Sequence, residues 1–271
     1  MRANKVKRAL SQGGVSIGTA FFEFNTTGIA RIAANAGADF ALFDTEHTGW
    51  DADTVRTLMA TARAADIVPL VRVPATQYHL IARPLDLGAM GLMIPMVESE
   101  EQARLFVRSA KYPPEGGRGA AFGVAHDDYE GGDVAAKMKN ANAEGLLIGL
   151  IETVAGVENV EKIAAVDGLD VLWIGHFDLT NSMSIPGQFT HPKFLRAVDS
   201  VLEACRRHGK APGFMAADVE AGRKLLAQGF RCISYSGDIW LYSQVLRDGI
   251  AALRGAAEGT RKSGDPASRP R

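Results

Sequence analysis

The sequence predicts a closed (β/α)8 TIM barrel, an α/β fold, and three observations predict it. Eight short apolar runs with β-branched or aromatic content recur along the chain. Amphipathic stretches of helical length separate them. Several runs follow the same punctuation, a helix end and then a glycine that can cap it. Near-continuous apolar strands alternating with helices argue for a parallel sheet covered by helices. About eight such units in roughly 250 folded residues close into a barrel, whereas a doubly wound open sheet has fewer strands.

In order, the runs are GVSIGTAF (Gly14–Phe21), DFALFD (Asp39–Asp44), IVPLVRV (Ile67–Val73), GLMIPM (Gly91–Met96), LLIGLIE (Leu146–Glu152), DVLWIGHFDL (Asp170–Leu179), KAPGFM (Lys210–Met215) and RCISYSG (Arg231–Gly237). The helix, glycine and strand unit reads AANAGADFALFD, PLDLGAMGLMIP and KLLAQGFRCISYS, and more loosely AAVDGLDVLWIG. Residues 1–255 form a single barrel domain on this reading. The C-terminal GTRKSGDPASRPR has no apolar periodicity, so 256–271 is expected to be a disordered tail. PPEGGRGAAFG (Pro113–Gly123) is an irregular insertion after the helix of the fourth strand, and long loops of this kind are commonly functional.

The 271 residues are 46% hydrophobic and 23% charged, ordinary for a folded domain. Thirty Lys and Arg against thirty-one Asp and Glu leave a net charge of -1, so the balance points to no nucleic acid and no anionic membrane. A small-molecule partner is expected. Two cysteines, Cys205 and Cys232, are too few for a disulfide framework or a structural zinc site. The N-terminus lacks the apolar core of a signal peptide and no run approaches bilayer length, so the expected location is the cytoplasm. No G-x-G-x-x-G or P-loop pattern follows a strand, which weighs against nucleotide binding.

Chemistry in a barrel sits where the carboxyl ends of the strands converge. The second run ends in Asp44, with Glu46 and His47 just beyond; the third contains Arg72; the fifth ends in Glu152; the sixth passes through Gly175 into Asp178. Two carboxylates at the ends of adjacent strands need a cation between them, or one must take a proton. Glu152 and Asp178 as oxygen ligands suit Mg²⁺, Mn²⁺ or Co²⁺ with positions left for water and substrate. Either acid alone also fits a helix cap or a surface ion pair. His47 is the candidate base because imidazole titrates near neutrality, and Asp86 could orient it if the fold brings them together. Arg72, inside an apolar strand, needs a negative partner: a ligand carboxylate or carbonyl, Asp44 or Glu46. Arg118 is a similar case. His126 is a candidate lid residue and His176 a candidate pocket residue, while Trp50, Phe122, Trp173 and Met215 either shape an acceptor pocket or are plain core.

These residues stand in a recognisable order. FDTEH, RVP, LDLGAMGLMIPMV, YPPEGGRG, IET and WIGHFDLT together resemble the HpcH/HpaI aldolase family of metal-dependent pyruvate aldolases, over about Arg8 to Arg254. The resemblance implies a barrel of the phosphoenolpyruvate/pyruvate type and a homohexamer built from domain-swapped dimers. It implies Glu152 and Asp178 as metal ligands, His47 with Asp86 as base and orienting acid, and Arg72 as the group that stabilises the enolate and developing oxyanion. It further implies Asp44 as an acid organising the site through water, and backbone amides around Gly175, Phe177 and Asp178 as the cradle for a keto-acid carboxylate.

Many family members carry Gln where this chain has Leu150, and many read G-P-A-D where it reads Gly175-His176-Phe177-Asp178. The expected reaction is class II cleavage or formation of 4-hydroxy-2-oxo acids through a pyruvate enolate and an aldehyde, with no Schiff-base lysine at a strand end. The alternatives are an oxaloacetate decarboxylase, a CoA-thioester lyase, or a keto-acid-binding barrel without turnover.

Overall fold

Eight parallel strands close on themselves in chain order, each hydrogen-bonded to the next and the last to the first. The structure is a computed structural model that describes residues 2–263. Its elements are α1 (Lys5–Ser11), β1 (Ser16–Phe21), α2 (Ile29–Asn35), β2 (Phe40–Asp44), α3 (Ala52–Ala64), β3 (Val68–Arg72), α4 (Tyr78–Asp86), β4 (Gly91–Ile94), α5 (Glu100–Ala110), α6 (Val134–Glu144), β5 (Leu146–Ile151), α7 (Val154–Glu158), α8 (Val160–Ala164), β6 (Val171–Ile174), α9 (His176–Ser182), α10 (Pro192–Arg207), β7 (Ala211–Ala216), α11 (Val219–Gln228), β8 (Cys232–Gly237) and α12 (Asp238–Ser263). All eight predicted strands form. Gly37, Gly88, Gly168 and Gly229, which punctuate the repeated unit, take φ of 90°, 109°, 89° and 97°. Gly229 thereby caps α11 in the left-handed conformation that a side chain resists.

Alternation along the strands builds two apolar layers. Phe40, Leu42, Leu70, Met93, Ile148, Leu150 and Trp173 face the lumen, while Ala41, Phe43, Val71, Leu92, Leu147 and Leu172 face the helices. The lumen is a packed core, and small residues make room for its large ones. A Cβ at Gly213 would collide with the Trp173 ring. Trp173 is therefore core. Helix α1 closes the amino-terminal face: Val6 and Leu10 join the lumen cluster, and buried Asn4 donates to the carbonyls of Met90 and Glu144 at 2.8 and 2.9 Å. Cys205 and Cys232 are buried thiols, each pushed up to about 12 by burial.

Asp238 joins the ends of the chain's barrel. Its buried carboxylate accepts from the amides of Phe22, Glu23 and Phe24 at 3.0, 3.0 and 2.7 Å, and from Ile239 at 2.9 Å. Helix α12 then runs through Ser263. This corrects the expected disorder of 256–263, since Ala256, Ala257 and Glu258 favour continuing the helix; the remainder of the expected tail, 264–271, lies outside the described residues. No helix among the described residues is long and apolar enough to cross a membrane. Asp238→Ala is expected to cost about 1–3 kcal/mol, since it removes the acceptor of four part-buried amides; urea unfolding followed by circular dichroism measures it, and a loss below about 0.5 kcal/mol would refute the latch.

Candidate active site

The carboxyl ends of β2 and β3 are tied by one buried ion pair. Asp44, 1% exposed at the last position of β2, accepts from Arg72 Nε at 2.6 Å. The same carboxylate accepts from the amides of Glu46 and His47 at 3.1 and 3.0 Å, which folds residues 45–47 back over the strand end. Thr45 and Thr48 complete the turn by donating to the carbonyls of Arg72 and Asp44, each at 2.6 Å. Arg72 Nη1 lies 3.2 Å from Glu46, and its guanidinium sits over the Phe22 ring at 5.8 Å. Burial opposes the Arg72 charge, but the Asp44 hydrogen bond and the Asp44, Glu46 and Glu152 carboxylates raise its pKa above the ordinary value.

Glu46 enters the sequence reading only as a possible partner for Arg72, and the structure gives it a second contact. It bridges Arg72 and His47, whose Nε2 lies 3.7 Å from Glu46 Oε2. Burial raises the Glu46 carboxyl despite Arg72 and His47 nearby. The signal was its place inside FDTEH, between two residues already singled out.

Across the mouth, Glu152 follows β5 and is 3% exposed. It accepts from the Met96 amide at 2.7 Å. Met96, just past β4, holds φ of 53°, a left-handed conformation costing about 1–3 kcal/mol for a residue with a side chain. Gly175 leaves the space that Glu152 fills: a Cβ there would come within 2.7 Å of Glu152 Cβ and would overlap its Oε2. Burial pushes the Glu152 carboxyl up to about 7; the Met96 amide opposes this, and the Glu46 and Asp178 charges add to it.

Asp178 lies in the first turn of α9, which Gly175 starts without a capping side chain. Among the described residues no three His, Cys, Asp or Glu converge as a metal cluster. Two carboxylates at the mouth, one driven toward protonation chiefly by burial and further by like charges, nevertheless fit a hard divalent cation that keeps most positions for water and ligand.

Other expected residues divide between mouth and scaffold. Met215 packs against the lumen cluster from β7, and Phe177 is exposed beside Asp178. His176 stacks on Phe214, and burial lowers its pKa to about 4. Within the chain, Asp86 does not orient His47. It ends α4, which runs back from the mouth, and it pairs with Arg118 at 2.5 Å. Arg118 itself is 4% exposed and lies over Tyr112 at 4.7 Å, so its chemistry belongs to the 111–133 connection. His126 is buried there, bonded to the Ala121 carbonyl at 2.6 Å and in ring contact with Phe122; this corrects its reading as a lid. Trp50 lines a 140 Å³ groove between α3 and α4.

A parallel barrel with an arginine and several carboxylates at the carboxyl ends of its strands carries them where barrel enzymes carry their active sites. The family model for HpcH/HpaI aldolase/citrate lyase matches residues 19–244, and the chain belongs to that family, as a lyase. It is 36% identical to 2-keto-3-deoxy-L-rhamnonate aldolase of Klebsiella pneumoniae subsp. pneumoniae, over 93% of this chain and 94% of that one. It is 34% identical to hydroxypyruvate/pyruvate aldolase of Roseobacter denitrificans, over 87% and 91%. The crystal structure of an HpcH/HpaI aldolase from Desulfitobacterium hafniense superposes with a TM-score of 0.89 at 34% identity, covering 93% of this chain and 97% of that one.

Two expectations concern stability. Asp44→Ala strands the Arg72 charge and should cost about 3–5 kcal/mol in urea unfolding; a neutral result would show that Glu46 alone suffices. In the 111–133 connection, burial works to raise the Asp127 carboxyl, but Lys137 at 2.7 Å and the Gly123 amide hold it down to about 2. Its contribution is present above the ordinary carboxylate pKa and is lost as pH falls through about 2. The stability gap between the wild type and Asp127→Asn should therefore narrow steadily from pH 4 to pH 2, and a constant gap would contradict the shift.

Proposed function

We propose that the chain is a class II aldolase that cleaves or forms 4-hydroxy-2-oxo acids through a pyruvate enolate and an aldehyde, using Mg²⁺, Mn²⁺ or Co²⁺. The observation that carries this is the environment of Glu152: a buried carboxyl raised to about 7, with Glu46 and Asp178 among the like charges that raise it and Arg72 nearby. Glu152 and Asp178 would hold the cation. When bound, it supplies Lewis-acid polarisation of the 2-oxo group and keeps Glu152 ionised.

The remaining work belongs to the chain's own groups. Arg72, fixed by Asp44 and Glu46, presents a permanent positive charge to the oxygen on which negative charge grows as the C3–C4 bond breaks. His47 takes the 4-hydroxyl proton; its exposure lets it reach the substrate, and Glu46 at 3.7 Å offsets the imidazolium that forms. The aldehyde leaves, and C3 of the enolate takes a proton to give pyruvate. Gly175 and the amides that open α9 are the proposed cradle for the oxo-acid carboxylate. The exposed residues Tyr242, Val245, Ile250 and Leu253 along α12 support a homo-oligomer, for which the family resemblance implies a hexamer.

The test is proton NMR of pyruvate in D2O with metal-stripped protein, then with each cation restored. Restoration should raise methyl exchange by roughly 100-fold or more. His47→Ala should slow retro-aldol cleavage by roughly 10²–10⁴-fold. Glu152→Ala should leave only background, and robust metal-dependent turnover in that variant would remove Glu152 from the site.

A further inference from the structure

We infer that the rings gathered at the ends of β6 and β7 make this enzyme select an acceptor aldehyde carrying an aromatic or extended apolar substituent, over a polyhydroxylated or anionic one. The inference rests on the aldolase reading above. Strand β6 passes through Gly175 directly into His176, Phe177 and Asp178, so a proposed metal ligand and two rings are consecutive at the mouth. Phe177 is 64% exposed and Phe189, in the α9–α10 loop, is 36% exposed. A single exposed phenylalanine is unremarkable. These two are in contact, with centroids 5.2 Å apart and planes at 84°.

They are also held from behind. His176 lies 4.6 Å from Phe177 and 5.0 Å from Phe189, and it stacks on Phe214 at 5.0 Å and 18°. Phe214 meets buried Phe230 edge-on at 5.3 Å, and Phe189 reaches buried Phe194 at 5.9 Å. The exposed rings thus cap a column anchored in the core, a preorganised surface that a flat apolar group can join with little loss of side-chain freedom.

The same segment lacks the cation that an anionic aldehyde requires. Residues 175–191, GHFDLTNSMSIPGQFTH, contain no Lys or Arg to meet a second carboxylate. Among their hydroxyls, Thr180 donates within α9 and accepts from Gly187, and Ser182 accepts from Val154. In the addition direction, C3 of pyruvate gives up a proton and bonds to the aldehyde carbon, and the new alkoxide gains a proton. The substituent on that carbon is the part the ring column would meet.

The experiment compares addition of pyruvate to benzaldehyde, glyceraldehyde and succinic semialdehyde, with enzyme supplied with divalent cation. Benzaldehyde should show the highest kcat/KM, by roughly tenfold, a size consistent with ring contacts plus buried apolar area. Phe189→Ala should lower the benzaldehyde to glyceraldehyde ratio about 3- to 10-fold, mainly through KM, and Phe189→Tyr should keep it. No benzaldehyde preference, or a ratio that survives Phe189→Ala, overturns the inference. Pyruvate methyl exchange in the wild type separates the two readings: if exchange persists, the aldolase assignment stands and only the selectivity claim falls; if it is absent, both fall. An altered mass in light scattering with an unchanged ratio would assign the rings to subunit contact and equally overturn it.

Discussion

The mouth of the barrel depends on the bond between Asp44 and Arg72. A guanidinium inside an apolar strand is costly unless a carboxylate meets it, and Asp44 meets it from the neighbouring strand in register. The same carboxylate turns the chain back through the Glu46 and His47 amides. One acid therefore places the positive charge, the second acid that balances it and the proposed base. Glu152 stands on the opposite logic, a buried acid held by a single amide and crowded by like charges. The difference between the two carboxylates, one satisfied and one not, gives the mouth its chemical polarity.

The rest of the molecule makes that arrangement rigid. The lumen is filled below the mouth, α1 closes the other end, and small residues such as Gly175 and Gly213 give way to the side chains packed against them. Met96 adopts a left-handed backbone and aims its amide at Glu152. Met96 also shows why local sequence preference is overridden here: nothing in its side chain favours that conformation.

The strands were legible because each is a short apolar run bounded by glycine or charge, and Asp44, Arg72 and Glu152 were legible because each interrupts or ends such a run. The position of Asp86 relative to His47 was not legible, for the opposite reason. A motif shows that two residues are near in sequence order, yet α4 carries Asp86 back toward the other end of the barrel, where Arg118 meets it. His126 and Phe122 lie in a connection whose packing is set by contacts with Tyr112 and Lys137 that no local pattern encodes. Phe189 was invisible too, since a loop phenylalanine acquires meaning only when His176 and Phe177 are found against it.

Helix α1 has a kinetic consequence. With Val6 and Leu10 seated against an already packed lumen, the far end of the barrel is sealed and ligands reach the site from the mouth alone. Whatever sits deepest arrives first and departs last. If the oxo acid lies against Glu152 and the aldehyde lies above it among the rings, traffic through the site is compulsorily ordered. Product-inhibition patterns would carry the signature of that order.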